Sequence, residues 1–311
     1  KPWPGLAARG GNLSLPGGKC TLFHYDVPAA KPENGGARNP GPAVILVHGL
    51  GDEADSWRHI IPRLSAAGYR TLAPDLPGFG RSTVRGRISL SRHAGLLLSF
   101  MTETGAASPG NPAVLAGSSL GAVIAELAAF RRPDLVKALV LIDGCFPLSG
   151  GVDRGLLLMG LPFIGRRWYR AFRRDHEGAW KSLYPYYFNL EGLGEVDKRF
   201  LRERVIARVE SAGQERAYFA SLRDMNRLSL SGGAALSFAL RIFPGKILLL
   251  WGSEDRIIPK QRIAGFRGVR AGAELRIIEK AGHLPHQEKP EEAAGEMLDF
   301  LAGLNHTFLQ E

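Results

Sequence analysis

Residues 113–121, AVLAGSSLG, decide the fold: an uninterrupted apolar run, Ala113-Val114-Leu115-Ala116, then Gly117-Ser118-Ser119-Leu120-Gly121, then the helical apolar pattern of residues 120–130. A short run without polar alternation is what a strand covered on both faces requires. A strand that passes straight into a helix through G-x-S-x-G holds its central serine on a sharp, strained turn. Side chains two positions away on either side would collide with the neighbouring strand and helix. That register selects Ser119 over Ser118 as a nucleophile; stripped of its flanks, the pentapeptide is only a glycine-rich turn.

The same rhythm continues in both directions. Apolar runs at residues 43–47, 71–73, 138–142, 246–251 and 275–278 alternate with helical patterns at 57–67, 89–102 and 291–304. Strict alternation predicts an α/β fold: a mostly parallel central sheet with right-handed crossovers, flanked by helices. Upstream, residues 12–15 and 20–27 flank Pro16-Gly17-Gly18 and alternate apolar with polar, as an antiparallel hairpin at the sheet edge would. Residues 28–42 crowd Pro, Gly and Asn and are expected to form an exposed loop. Between residues 146 and 240 the alternation stops, and the chain becomes aromatic, arginine-rich and helical in period. The expected organisation is therefore a core of residues 1–145 and 241–311, with residues 146–240 inserted as a helical cap, or lid, above the strand ends.

A serine hydroxyl is a weak nucleophile at neutral pH and needs a base within hydrogen-bond reach and a third group to orient that base. His283 follows the last strand in Ala281-Gly282-His283-Leu284-Pro285, and Asp255 follows the preceding strand in Trp251-Gly252-Ser253-Glu254-Asp255. In a parallel sheet the loops after strand C-termini emerge at one edge, so distance in sequence is no obstacle. The order Ser, Asp, His is the one expected when the serine sits on such a strand-to-helix turn. His286 is a rival that a short helical turn is expected to carry away. Glu254 is expected to point elsewhere, whereas Asp143, closing the run at 138–142, is either an alternative acid or a turn residue.

A tetrahedral intermediate needs two backbone N–H donors, worth several kcal/mol together. Leu120 supplies one and Leu50, in His48-Gly49-Leu50-Gly51-Asp52, the other; His48 is read as a brace for that turn. No metal-ligand cluster is evident, and no cofactor is expected, because activated serine, oxyanion donors and water complete an acyl transfer.

Five ordered segments resemble the α/β-hydrolase superfamily, in its serine esterase- and lipase-like branch with a helical cap. They are HGLGD (48–52), APDLPGFGRS (73–82), GSSLG (117–121), WGSEDRIIP (251–259) and AGHLPHQEKPEE (281–292). The resemblance implies hydrolysis of a carboxylic ester through an acyl-enzyme on Ser119, with a small-molecule ester as partner. Alternatives on the same scaffold are a carbon–carbon hydrolase of meta-cleavage type using the same triad, and a ligand-binding homologue without turnover. Haloalkane dehalogenases and epoxide hydrolases carry an aspartate at the elbow, where this chain has Ser119.

Length and composition bound the remainder. A chain of 311 residues accommodates one large α/β domain with an insertion or two ordinary domains. With 45% apolar and 23% charged residues it is expected to fold rather than stay disordered. Its apolar runs fall far short of the ~20 residues a bilayer span needs. Cys20 and Cys145 are expected to be separate buried thiols. The net charge of +10 is not accompanied by a nucleic-acid motif, so it is read as the charge of a basic soluble enzyme and no nucleic acid is expected. The first residue is Lys1 rather than Met, so an upstream segment is expected to have been removed and the compartment stays open. In the cap, Leu157, Met159 and Leu161 precede Arg166, Arg167 and Arg170. Such a pattern suits a medium-length acyl chain or an anionic membrane surface, but Gly155, Gly160, Pro162 and Gly165 interrupt any long amphipathic helix and favour ordinary packing with solvated arginines. Acyl preference and oligomeric state are not encoded legibly.

Overall fold

The computed structural model describes residues 1–31, 41–150, 154–161 and 163–304. The apolar runs become strands β1 (Gly10–Ser14), β2 (Cys20–Val27), β3 (Val44–Val47), β4 (Thr71–Pro74), β5 (Thr83–Val84), β6 (Ala113–Ser118), β7 (Val136–Ile142), β8 (Lys246–Gly252) and β9 (Glu274–Ile278). They form one sheet in the order β1-β2-β4-β3-β6-β7-β8-β9, with the short β5 paired to β2. From β4 to β9 every neighbouring pair is parallel. The β1–β2 hairpin runs antiparallel at one edge, as its alternation predicts. Most of the expected 28–42 loop lies outside the described residues.

The absence of polar alternation has a direct cause. In β3, Val44 and Leu46 enter one apolar cluster while Ile45 and Val47 enter another on the opposite face, and in β8 Leu248 and Leu250 oppose Ile247, Leu249 and Trp251. Both faces are covered, so both must be apolar. Helices α1 (Ile60–Ala66), α2 (Leu90–Glu103) and α3 (Leu120–Arg131) precede β7. Between β7 and β8 lie α4 (Arg154–Met159), α5 (Ile164–Ala171), α6 (His176–Lys181), α7 (Glu195–Glu210), α8 (Ala212–Leu230) and α9 (Ala234–Ile242). The chain closes through α10 (Ala264–Val269), α11 (Pro285–Glu288) and α12 (Pro290–Gly303). Ile61 and Leu64 of α1 with Met297 and Leu301 of α12 cover one face; Leu97 of α2, Val123 of α3 and Phe266 of α10 cover the other.

No strand interrupts the described residues between β7 and β8. Helices α5 to α8 build small cores of their own, one around Tyr169, Val205, Phe219 and Leu222 and another around Trp180, Tyr187, Leu190 and Leu201. Helix α9 is different: its Leu236 and Leu240 join the large cluster that includes α3, so it packs with the layer covering the sheet. Cys20 and Cys145 are free and buried. No helix among the described residues is long and apolar enough to cross a membrane.

Candidate active site

The turn from β6 into α3 places Ser119 at φ 52°, ψ −116°, a backbone conformation that side-chain-bearing residues rarely adopt. Its tightness explains the glycines. A Cβ at Gly117 would lie 2.4 Å from the carbonyl of Gly121, one at Gly121 would lie 2.1 Å from the Val47 carbonyl oxygen, and one at Gly144 would lie 2.6 Å from the Ser119 Cα. The Ser119 N–H donates to the Ile142 carbonyl at 2.9 Å, fixing the elbow to the end of β7. Ser118 is fully buried with an unpartnered hydroxyl, whereas Ser119 is partly accessible.

Asp255 lies in the loop after β8. Its Oδ1 accepts the N–H groups of Ile257 at 2.8 Å and Ile258 at 2.9 Å, and its Oδ2 accepts from His283 Nδ1 at 2.8 Å. Both side chains are buried, 0% and 2% exposed. With Nδ1 donating to the carboxylate, Nε2 is the free lone pair and the basic nitrogen. The structure thus joins His283 to Asp255 directly. Among the described residues no hydrogen bond joins Ser119 to the imidazole.

Asp143 stands beside this pair: one oxygen of each carboxyl group and one nitrogen of His283 lie within 4.8 Å of one another. Asp143 has φ 43°, is fully buried, and accepts the Gly252 N–H at 3.0 Å. Burial first, and then the Asp255 carboxylate, push its carboxyl well above the usual range, so its neutral form is favoured. The two acids therefore differ in their contacts, Asp255 holding the imidazole and Asp143 accepting from the Gly252 N–H beside it. These three side chains are also of metal-ligand type, but the Asp255–His283 bond already engages two facing ligand atoms, and a protonation-prone Asp143 is a poor third.

The neighbouring candidates are engaged elsewhere. His286 on α11 pairs with Ser56 Oγ at 2.9 Å and stacks on Trp57, and burial lowers its pKa to about 3. The Glu254 side chain is exposed and, among the described residues, its carboxylate hydrogen-bonds only Ser253 at 3.2 Å. His48 is the brace its position suggested: Nδ1 donates to the Gly49 carbonyl at 2.8 Å and Nε2 accepts the Leu76 N–H at 2.8 Å. This holds the turn after β3 against the elbow, with the Cβ position of Gly49 only 3.4 Å from the Ser119 Cβ. The N–H groups of Leu50 and Leu120 have no acceptor among the described residues.

Two further contacts hold the imidazole loop. The His283 N–H donates to the Tyr186 carbonyl at 2.8 Å, so a residue of the inserted segment holds the imidazole loop. Glu288 on α11 then gathers three N–H groups, those of Gly282 at 2.7 Å, Phe188 at 3.0 Å and Asn189 at 2.8 Å. Gly282 admits no side chain, because a Cβ there would lie 2.7 Å from the Tyr186 carbonyl oxygen. Further along the insertion, Arg208 of α7 reaches Asp52 of the HGLGD turn at 2.7 Å, and the Tyr218 ring of α8 covers Gly51.

This elbow, edge and sheet order define a hydrolase scaffold. The chain belongs to the alpha/beta hydrolase family, whose model matches residues 44–296. It is 28% identical over 271 residues to the pimeloyl-[acyl-carrier protein] methyl ester esterase of Cronobacter sakazakii, across 84% of this chain and 93% of that protein. It is 27% identical over 298 residues to epoxide hydrolase 3 of Xenopus tropicalis, across 90% of this chain and 74% of that one. Among solved structures, a membrane phospholipase A described as a bacterial virulence factor superposes with a TM-score of 0.74 at 25% identity, covering 96% of this chain and 87% of that chain. The resemblance to esterase- and lipase-like hydrolases is thereby established, and the relatives include hydrolases of other bonds.

Proposed function

We propose that the protein is a serine hydrolase of carboxylic esters, with Ser119 as nucleophile, His283 as general base and acid, and Asp255 as the orienting carboxylate. The carrying observation is the buried 2.8 Å His283–Asp255 bond at the same sheet edge as a strained serine elbow. Ser119 Oγ attacks the ester carbonyl carbon while its proton passes to His283 Nε2, and Asp255 stabilises the imidazolium. The Leu50 and Leu120 N–H groups hold the oxyanion. Collapse breaks the acyl–oxygen bond, the alcohol leaves with the His283 proton, and water then releases the acid by the reverse sequence. Catalytic hydrogen bonds are commonly long before substrate arrives, which accommodates the unjoined Ser119 hydroxyl.

A serine at position 119 favours ester over epoxide chemistry, since opening an epoxide through an ester intermediate requires a carboxylate at the elbow. The likeness to the methyl ester esterase of Cronobacter sakazakii supports the same bond. Residues 146–240 act in this reading as a cap over a core of residues 1–145 and 241–311, and their helices α7 and α8 select a small-molecule ester by its acyl chain. The test is fluorophosphonate labelling with peptide mapping, joined to kcat/KM on p-nitrophenyl esters of increasing acyl length and on a vinylogous diketone. A single adduct on Ser119 with ester turnover is expected. An adduct on Ser118, an unreactive protein, or turnover of the diketone alone overturns the proposal.

A further inference from the structure

Helices α5 and α8 carry a second surface, to which none of Ser119, Asp255 and His283 contributes. Two depressions meet there, sharing Arg166 and Arg223. One, of about 580 Å³, lies between α8 and residues 78–88 and includes Arg87, Arg216 and Arg227, with Asp224 as its acid. The other is a broad depression of about 1240 Å³ whose lining, apart from Phe163 and Ala171, consists of arginines.

The positive charge here is not balanced internally. Glu215, 3% exposed, takes Arg166 at 3.3 Å, Arg170 at 2.8 Å and Arg173 at 2.7 Å, so one carboxylate answers three guanidinium groups. Arg167 and Arg174 are exposed and, among the described residues, have no acidic partner. Arg223 is pressed by burial and by its neighbours Arg166 and Arg227, which together lower its pKa. A gathering of like charges with fewer counter-charges than cations favours an anion from outside.

The same corner is also apolar. Phe163 is 87% exposed, Trp168 52% and Leu161 45%. A Cβ at Gly165 would lie 1.8 Å from the Met159 carbonyl oxygen, so the start of α5 lies tight against the end of α4. Aromatic rings beside arginines on one short helix match an interface with an apolar phase below and phosphates above. A purely polyanionic partner offers no apolar phase for so exposed a Phe163, and a depression this open does not enclose a small anion.

We propose that the α4–α5 corner is a docking face for an anionic phospholipid bilayer, with Phe163 and Trp168 entering the interface and Arg167, Arg174 and Arg223 meeting headgroup phosphates. It stands whichever bond Ser119 cleaves. The test is co-sedimentation of the whole protein with phosphatidylcholine vesicles, with and without phosphatidylglycerol, at low and high salt. Binding is expected only with phosphatidylglycerol and is weakened by salt. Each arginine near such a surface contributes about fivefold in partitioning, so the triple variant Arg167→Gln, Arg174→Gln, Arg223→Gln should lose on the order of a hundredfold. Phe163→Ser should lose roughly tenfold, and that loss should persist at high salt because it is apolar. Circular dichroism and turnover of a short soluble ester check that both variants fold. Equal binding to neutral vesicles, or unaltered binding by the triple variant, refutes the proposal. So does binding to soluble polyglutamate as tight as to vesicles with no effect of Phe163→Ser, which would assign the face to an acidic protein.

Discussion

Replacing Asp255 by asparagine separates the two buried acids most sharply. Asp255 Oδ1 is committed to the Ile257 and Ile258 N–H groups, so an asparagine there keeps its carbonyl oxygen on those amides and turns its NH₂ toward His283. Two donors cannot face each other; the imidazole must accept at Nδ1 and carry its proton on Nε2, the tautomer that cannot take the serine proton. The expected loss is about 10³- to 10⁴-fold in kcat with KM little changed, or roughly 4–5.5 kcal/mol of transition-state stabilisation. Asp143→Asn keeps the acceptor for the Gly252 N–H at a carboxyl whose burial already disfavours the charged form, so a change within about threefold is expected. Asp255→Asn also removes one of the causes that raise the Asp143 pKa, and the double variant should be no more active than Asp255→Asn alone. Steady-state kinetics on p-nitrophenyl acetate across neutral pH measure all four proteins. If Asp143→Asn is the inactive single variant and Asp255→Asn is not, the orienting acid is Asp143.

Ser119→Ala should abolish turnover with the fold intact, while Ser118→Ala keeps activity and melts no lower than the parent, because it deletes a buried unpartnered hydroxyl; activity and melting curves decide this. Glu288→Gln removes a charged acceptor from three N–H groups and should cost about 1–3 kcal/mol in urea unfolding, with a fall in kcat larger than any change in KM. Stability should also fall with acid. Burial lowers the pKa of His93 and His286 from 6.5 to about 3, so between these pH values the unfolded chain binds protons that the folded chain refuses. Unfolding free energy should then rise with pH across that window, by at most roughly 1.4 kcal/mol per pH unit for each histidine, and level off above pH 6.5. A flat profile from pH 3 to 6.5 would show that these imidazoles are protonated in the folded state.

What could be read from residues alone was what local spacing dictates. Gly117 and Gly121 announce the elbow because the collision they avoid is between segments a few residues apart, and the apolar runs announce strands because both faces are covered. The edge at which Asp255 and His283 meet follows from parallel topology. Contacts made through backbone atoms leave no mark in side-chain identity: nothing about Tyr186 signals that its carbonyl holds His283, although Glu288 lay within a motif already noted. Periodicity likewise cannot say which layer a helix joins, so only the packing of Leu236 and Leu240 against the core sets α9 apart from its predecessors. Asp143 was visible at the correct edge, but its protonation depends on burial and on a neighbour more than a hundred residues away.

The bond from His283 to the Tyr186 carbonyl bears on how this scaffold can be re-engineered. Insertions between β7 and β8 invite exchange as interchangeable modules, since their ends enter and leave at neighbouring strands. Here the insertion supplies backbone on which the imidazole loop rests, and Glu288 clasps residues 188 and 189 to Gly282. A graft cut only at the strand ends would exchange the insertion and unseat His283, the proposed base, in the same step. Chimeras that carry the 184–189 and 282–288 segments together as one cassette should keep their chemistry, and the junctions of this architecture are accordingly four in number rather than two.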